Sequence, residues 1–288
     1  MSVGKPYGNL FLCAGAMKAG TTWLYTVLAS HPELAVSFEK EIHYFHHLYS
    51  NDRTLGDKLR MELARKYCNR SMDYRRGNAD LISSDLRWIA NYAGRPVDDS
   101  WYMTLFQRPR REMYVCDFSV FCALLPAKAW SGIEAKCEKL RVIYMLREPT
   151  RQLWSNIKFH LQSEGKLDML KVWGPEDIRE YAARPDFWEN SEFGKAIRRM
   201  KAGLSEGSLK VIFFEILHGD RTRGLAEIED FLNIPRGEYS QASLERKVNE
   251  STHIPMPEWF PELFADDMAR IREEVATEGL KLPESWRD

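Results

Sequence analysis

Three short groups of residues in this 288-residue chain have the types and spacing to do chemistry. The first is Gly15-Ala16-Met17-Lys18-Ala19-Gly20-Thr21-Thr22-Trp23. Two glycines at G-x4-G spacing, a lysine inside the loop and two hydroxyls opening the next segment suit the capture of a phosphate. Backbone N–H groups of such a turn converge on an anion, and the positive end of the following helix dipole faces it. The loop departs from the Walker A pattern, because Thr21 stands where that motif has its lysine. Moved forward to position 18, the lysine can reach the outer oxygen of a bound 5′-phosphate without the usual magnesium arrangement. The second group, Glu39-Lys40-Glu41-Ile42-His43-Tyr44-Phe45, sets acid, base, acid and histidine beside aromatics. In an extended segment Glu41 and His43, two apart, point the same way. The third pairs Arg147 with Ser155, eight residues on. A guanidinium fork plus a hydroxyl suits a second phosphate. Taken singly, each group has a plainer reading: a glycine turn with a solvated lysine, a charged surface loop, an arginine paired with some carboxylate.

What could position them is legible from periodicity. An apolar run at 10–13 precedes the glycine loop. From Thr21 a helix is predicted with Trp23, Leu24, Val27 and Leu28 on one face, stopping before Pro32. Further strands are predicted at 34–37, 113–117, 141–146 and 209–214. The run at 141–146 is nearly unbroken in apolar residues, as in strands buried on both faces of a parallel sheet. Helices are expected at 127–139 and from Pro149, which suits a first helical turn, through Leu153, Trp154, Ile157 and Leu161. Asn190 or Ser191 can cap a helix bearing Phe193, Ile197, Met200 and Leu204. Another runs through Leu225, Ile228, Phe231 and Leu232 to Asn233. A polar loop over 245–251 follows, and a last helix with Leu263, Met268, Ile271 and Val275 ends near Gly279. Residues 46–112 read as an irregular, mostly helical insertion, with helix around 55–68 and 80–92, placed where an α/β enzyme holds its substrate. Between 51 and 112 there are 13 Lys+Arg against 9 Asp+Glu, a net of +4. The pattern predicts one α/β domain over 1–288, a doubly wound parallel sheet of about five strands. All three chemical groups then fall at its carboxyl edge, where ligands of such sheets sit.

Composition narrows the classes. A formal charge of −1 and a pI near 6.7 give no global case for nucleic acid or an anionic membrane. Five scattered cysteines without a C-x-x-C pair (Cys13, Cys68, Cys116, Cys122, Cys137) suggest small core residues in a reducing compartment rather than disulfides or a zinc site. The first residues lack a signal-peptide core and no apolar run reaches transmembrane length. A soluble, cytoplasmic protein with no membrane span is expected.

In their order, K-A-G-T-T-W-L after strand one, K-E-I-H-Y-F after strand two and L-R-E-P-T-R-Q-L-W-S after strand four make the chain resemble the PAPS-dependent sulfotransferases. The likeness is specifically to the branch that includes heparan sulfate and tyrosylprotein sulfotransferases and their bacterial relatives, and runs from about Leu10 to Asn233. The resemblance implies a P-loop-NTPase-like fold and transfer of a sulfuryl group from 3′-phosphoadenosine 5′-phosphosulfate (PAPS) to a hydroxyl, leaving 3′-phosphoadenosine 5′-phosphate (PAP). It implies that residues 18–23 (Lys18, Ala19, Gly20, Thr21, Thr22, Trp23) hold the 5′-phosphosulfate, with Lys18 on the transferring group. Arg147 and Ser155 match the pair that grips the 3′-phosphate, and Arg246 or Lys247 a late basic residue nearby. Glu41 matches the general base and His43 its polar neighbour. No metal is needed in that scheme. The acceptor would be a sugar, glycan or other hydroxylated metabolite, free or carrier-bound; the oligomeric state is not implied. Two segments depart from the family pattern: Asp117-Phe118-Ser119-Val120-Phe121 lacks the usual proline, and Phe214-Glu215-Ile216-Leu217 replaces Tyr-Glu-Asp-Leu. A P-loop kinase, with Asp117 as a Walker B aspartate, and a non-catalytic nucleotide binder are the rival expectations.

Overall fold

Five short apolar segments pair side by side, all parallel: β1 (Asn9–Cys13), β2 (Leu34–Val36), β3 (Tyr114–Asp117), β4 (Lys139–Leu146) and β5 (Leu209–Phe213). The computed structural model describes residues 5–50, 54–74, 78–106, 110, 113–246, 248 and 254–286. Strand order is β2-β3-β1-β4-β5. The chain works outward from β1 to one edge, returns, and works outward to the other. The reversal lies between β1 and β4, and a crevice opens at the carboxyl ends of strands at such a point. Leu10, Phe11 and Leu12 of β1 and Val142 to Leu146 of β4 are buried, while the edge strand β5 stays half-buried until Phe213. This agrees with the expected doubly wound sheet. All five cysteines are free thiols, four of them buried.

Helices cover the sheet: α1 (Thr21–Leu28), α6 (Ala127–Ala135), α7 (Pro149–Ser163), α10 (Phe193–Gly203), α12 (Arg221–Leu232) and α15 (Ala265–Thr277) among the larger ones. Shorter pieces are α8 (Pro175–Ala182), α9 (Pro185–Glu189), α11 (Phe214–Gly219), α13 (Gln241–Glu245) and α14 (Phe260–Leu263). Three local expectations need correction. Helix α6 stops at Ala135, because Lys139 already belongs to β4 and the chain needs a turn to reverse. Helix α10 begins after Glu192, not after a capping Asn190 or Ser191. Ser191 is instead buried, its hydroxyl donating to Gln152 Oε1 at 2.8 Å. Finally, Phe214 has left the sheet and opens α11.

The insertion is helical: α2 (Tyr44–Tyr49), α3 (Asp57–Tyr74), α4 (Ala79–Ala93) and α5 (Asp99–Thr104). Its core is aromatic, with Trp88 stacked on Tyr92 at 5.0 Å. Buried Arg60 donates to the carbonyls of Leu55, Tyr92 and Gly94 and to Asp57, so its buried charge is met by four acceptors, one of them a carboxylate. Trp88 Nε1 donates to Ser37 Oγ at 2.8 Å, and Arg70 pairs with Glu39. The insertion therefore braces the segment that leaves β2.

Candidate active site

The glycine loop is pinned to the strand beside it. Ala14 and Ala16 N–H groups donate to the carbonyls of Ile143 and Met145, and Met145 N–H donates back to Gly15. Gly15 (φ 116°) and Gly20 (φ 89°) occupy backbone that only glycine adopts readily. A Cβ on Gly20 would also sit 2.8 Å from the Phe214 ring. Helix α1 then starts with no side-chain cap and no acid in its first turn. The positive end of its dipole therefore meets no capping or acidic side chain and suits an anion. Lys18 is held at φ 65°, where a non-glycine residue is strained by roughly 1–3 kcal/mol. Its Nζ lies 4.5 Å over the Phe159 ring. Burial, then the nearby charges of Arg147, Lys40 and Lys158, pull its pKa down to about 8.

Glu41 and His43 do meet, but not on an extended strand. Both take left-handed backbone, at φ 61° and 58°. The segment after β3 imposes that shape: Glu41 N–H donates to Phe118 O at 3.0 Å, Val120 N–H to Glu41 Oε2 at 2.9 Å, and His43 N–H to Ser119 Oγ at 3.0 Å. His43 Nε2 lies 3.7 Å from Glu41 Oε2, and its ring stacks on Phe121 at 4.6 Å. On its other oxygen Glu41 pairs with Lys40 Nζ at 2.7 Å, and the same ammonium donates to Thr21 Oγ1 and Thr22 Oγ1 at 3.2 and 3.1 Å. Asp117 lies beneath, buried, accepting from Ser119 Oγ at 2.6 Å and Tyr102 Oη at 3.0 Å. Burial outweighs these two bonds and lifts its pKa to about 6. It lines no part of the cavity described next, so its carboxylate does not stand where a Walker B aspartate would face a nucleotide.

Arg147 leaves the end of β4, donates from Nη1 to Lys18 O at 3.1 Å and lies 4.9 Å over the Phe214 ring. Its helix, α7, is capped by Glu148, which accepts from Thr150 and Arg151 N–H at 3.1 and 2.8 Å. Arg272 donates to the same carboxylate at 3.0 Å, and Glu148 N–H donates to Glu215 Oε1 at 2.8 Å. This rigid cap aims Arg151, Ser155 and Lys158, at i, i+4 and i+7, down one side of the helix. Leu153, Ile157 and Leu161 occupy its buried side.

These pieces wall one cavity of about 1000 Å³. Of the residues singled out from the sequence, it brings together Lys18, Gly20, Thr21, Thr22, Trp23, Glu41, His43, Arg147 and Ser155. Ala19 is buried beneath the loop and does not line it. Lys247 lies outside the described residues, while its neighbour Arg246 is on the wall. No described residue of 46–112 lines it. Sequence reasoning missed Lys40, Arg151, Lys158, His218 and Arg221. The last lies 5.7 Å over Trp23. Burial, with Arg221 and Arg147 nearby, pushes His218 down to about 4, so it is neutral at physiological pH. A helical projection of α7 could have found Arg151 and Lys158, since they share a stripe with Ser155. Among the described residues the wall holds seven cationic side chains and one carboxylate, Glu41.

A family model described as the sulfotransferase family matches residues 11–238. Among solved structures, a sulfotransferase from Alicyclobacillus acidocaldarius superposes with a TM-score of 0.66 at 19% identity, covering 97% of this chain and 99% of that one. The sulfotransferase domain of the olefin synthase of Synechococcus PCC 7002 gives 0.56 at 16%, covering 98% of each chain. The sulfotransferase domain from the curacin biosynthetic pathway gives 0.51 at 17%, covering 96% and 99%. At such identities the likeness speaks to the fold. No curated protein sequence matches the chain significantly.

Proposed function

The chain belongs to the sulfotransferase family, and from that premise we propose that it moves a sulfuryl group from PAPS to an acceptor hydroxyl. The observation that carries this reading is the cavity wall: among the described residues, seven cations and an uncapped helix N-terminus surround a single carboxylate. A donor with phosphates at both ends of a nucleoside needs two separated anion sites, and a base is needed only if the second substrate must lose a proton. Buried Nε of Arg147 and Nε2 of His218 have no hydrogen-bond partner among the described residues. Such atoms fit a polar ligand at that place.

The donor is a substrate, supplying a sulfuryl group on a phosphate leaving group. Residues 18–23 hold the 5′ end, and Arg147 with Ser155 and Arg246 holds the 3′-phosphate. Glu41 takes the proton of the acceptor hydroxyl as its oxygen bonds to sulfur. The bond from sulfur to the 5′-phosphate oxygen breaks, and its electron pair leaves on PAP. Lys18 meets the charge that grows on that oxygen. Such a loose, in-line transfer depends mostly on positioning and charge. The acceptor is a hydroxylated small molecule or glycan, and no residue here is assigned to a metal.

Turnover of radiolabelled PAPS with a panel of hydroxylated acceptors tests the reading. Glu41→Gln is expected to lose about 10²–10⁴-fold in turnover while still binding PAP at least as tightly as wild type. Full turnover by that variant would remove Glu41 as the base.

A further inference from the structure

Lys40 joins the start of α1 to the Glu41 segment across the cavity wall. Its ammonium donates to the hydroxyls of Thr21 and Thr22, the residues opening α1, and pairs with Glu41 Oε1 at 2.7 Å. Three partners saturate its three N–H groups. Each partner has another task in the proposed reaction, which this inference presupposes: the hydroxyls face the donor's 5′ end, and Oε1 is one of two carboxylate oxygens. The other oxygen, Oε2, is engaged by Val120 N–H. With no donor bound, Oε1 is engaged by an ammonium that competes with an incoming hydroxyl for that oxygen.

We infer that Lys40 is a shared cation that couples donor binding to the base: it holds Glu41 in the free protein and passes to the anion at the donor's 5′ end, phosphosulfate or phosphate, when that anion arrives. Its ammonium already sits on the hydroxyls of Thr21 and Thr22, where α1 begins. Lys40 and Lys18 both line the cavity, and the charge of Lys40 is among the causes, after burial and Arg147, that lower the Lys18 pKa. An anion between the two lysines relieves that repulsion and competes with Glu41 for Lys40. The carboxylate is then released with the donor already in place, so the acceptor is activated second. With the donor bound, Lys40 supplies a second positive charge, besides that of Lys18, at its 5′ end.

A double-mutant cycle on PAP affinity tests the coupling directly, using Lys40→Met, Glu41→Gln and the double variant, all folded by circular dichroism. If Glu41 competes for Lys40, Glu41→Gln binds PAP about 3–10-fold tighter in the presence of Lys40, and much less so in the Lys40→Met background. A long-range charge effect alone would give the same gain in both backgrounds, which overturns the inference. Turnover adds a second reading: Lys40→Met loses more in kcat than in PAP affinity, and Lys40→Arg restores part of both. Loss of affinity alone, with kcat intact, also overturns it. Wild-type protein that does not bind PAP sinks the donor reading itself, and the inference with it. Normal PAP binding with additive variants sinks the inference alone.

Discussion

At the scale of single residues, Lys18 makes the sharpest prediction. An ammonium held down to about 8 is partly neutral in mildly alkaline solution. A bound phosphosulfate or phosphate favours the charged form. PAP binding at about pH 8.5 should therefore take up a proton, and at about pH 6.5, where the amine is already charged, it should take up none at this site. Calorimetry in buffers of different ionisation enthalpy measures this, and Lys18→Arg should abolish the uptake. Equal proton exchange in both variants would mean that another group is responsible. Residue types alone disclosed Lys18, Glu41, His43 and Arg147, because each belongs to a short pattern with a chemical reason. Lys40 stayed hidden, since a lysine between two glutamates reads equally well as a surface ion pair. The left-handed turns at Glu41 and His43 were hidden too. They are imposed by bonds to Phe118, Ser119 and Val120, far away in sequence.

At the scale of elements, the strands and the larger helices were legible because their apolar periodicity is strong. Boundaries were less so where tertiary contacts decide them. Ser191 looked like a cap but is drawn inward by Gln152, and the short helices α8 and α9 lack the length to show a period. Helix α7 illustrates how an element serves the site. Its Glu148 cap fixes the turn that carries Arg147, and Arg272 of α15 and Glu215 of α11 fasten that cap to the rest of the fold. Glu148→Ala should cost about 1 kcal/mol through the lost cap. The Arg272 guanidinium, left without this partner, raises the cost further. Thermal unfolding reads the stability. PAP affinity should fall as well, since Arg147 and Arg151 flank the cap. A variant as stable as wild type would show that the cap is dispensable.

At the scale of the whole molecule, charge is distributed rather than accumulated. The chain has a formal charge of −1, yet seven cations meet in one cavity at the point where strand order reverses. Net charge could not reveal this, because acids elsewhere balance it. Only the fold gathers Lys18 after β1, Lys40 after β2, Arg147 after β4 and Arg221 after β5 at one carboxyl edge. The insertion stands behind that edge and braces the Glu41 segment through Trp88 and Arg70. The central claim is that this cavity receives a nucleotide with separate 5′ and 3′ anions, without magnesium. Calorimetric titration with PAP in chelator, against ATP with magnesium, on wild type and Arg147→Ala, addresses it most directly. The account predicts metal-free binding of PAP, weakened at least tenfold in Arg147→Ala, an amount in line with losing a charge-assisted contact worth about 1.5–3 kcal/mol. Preference for ATP with magnesium, or PAP binding indifferent to Arg147, would contradict it.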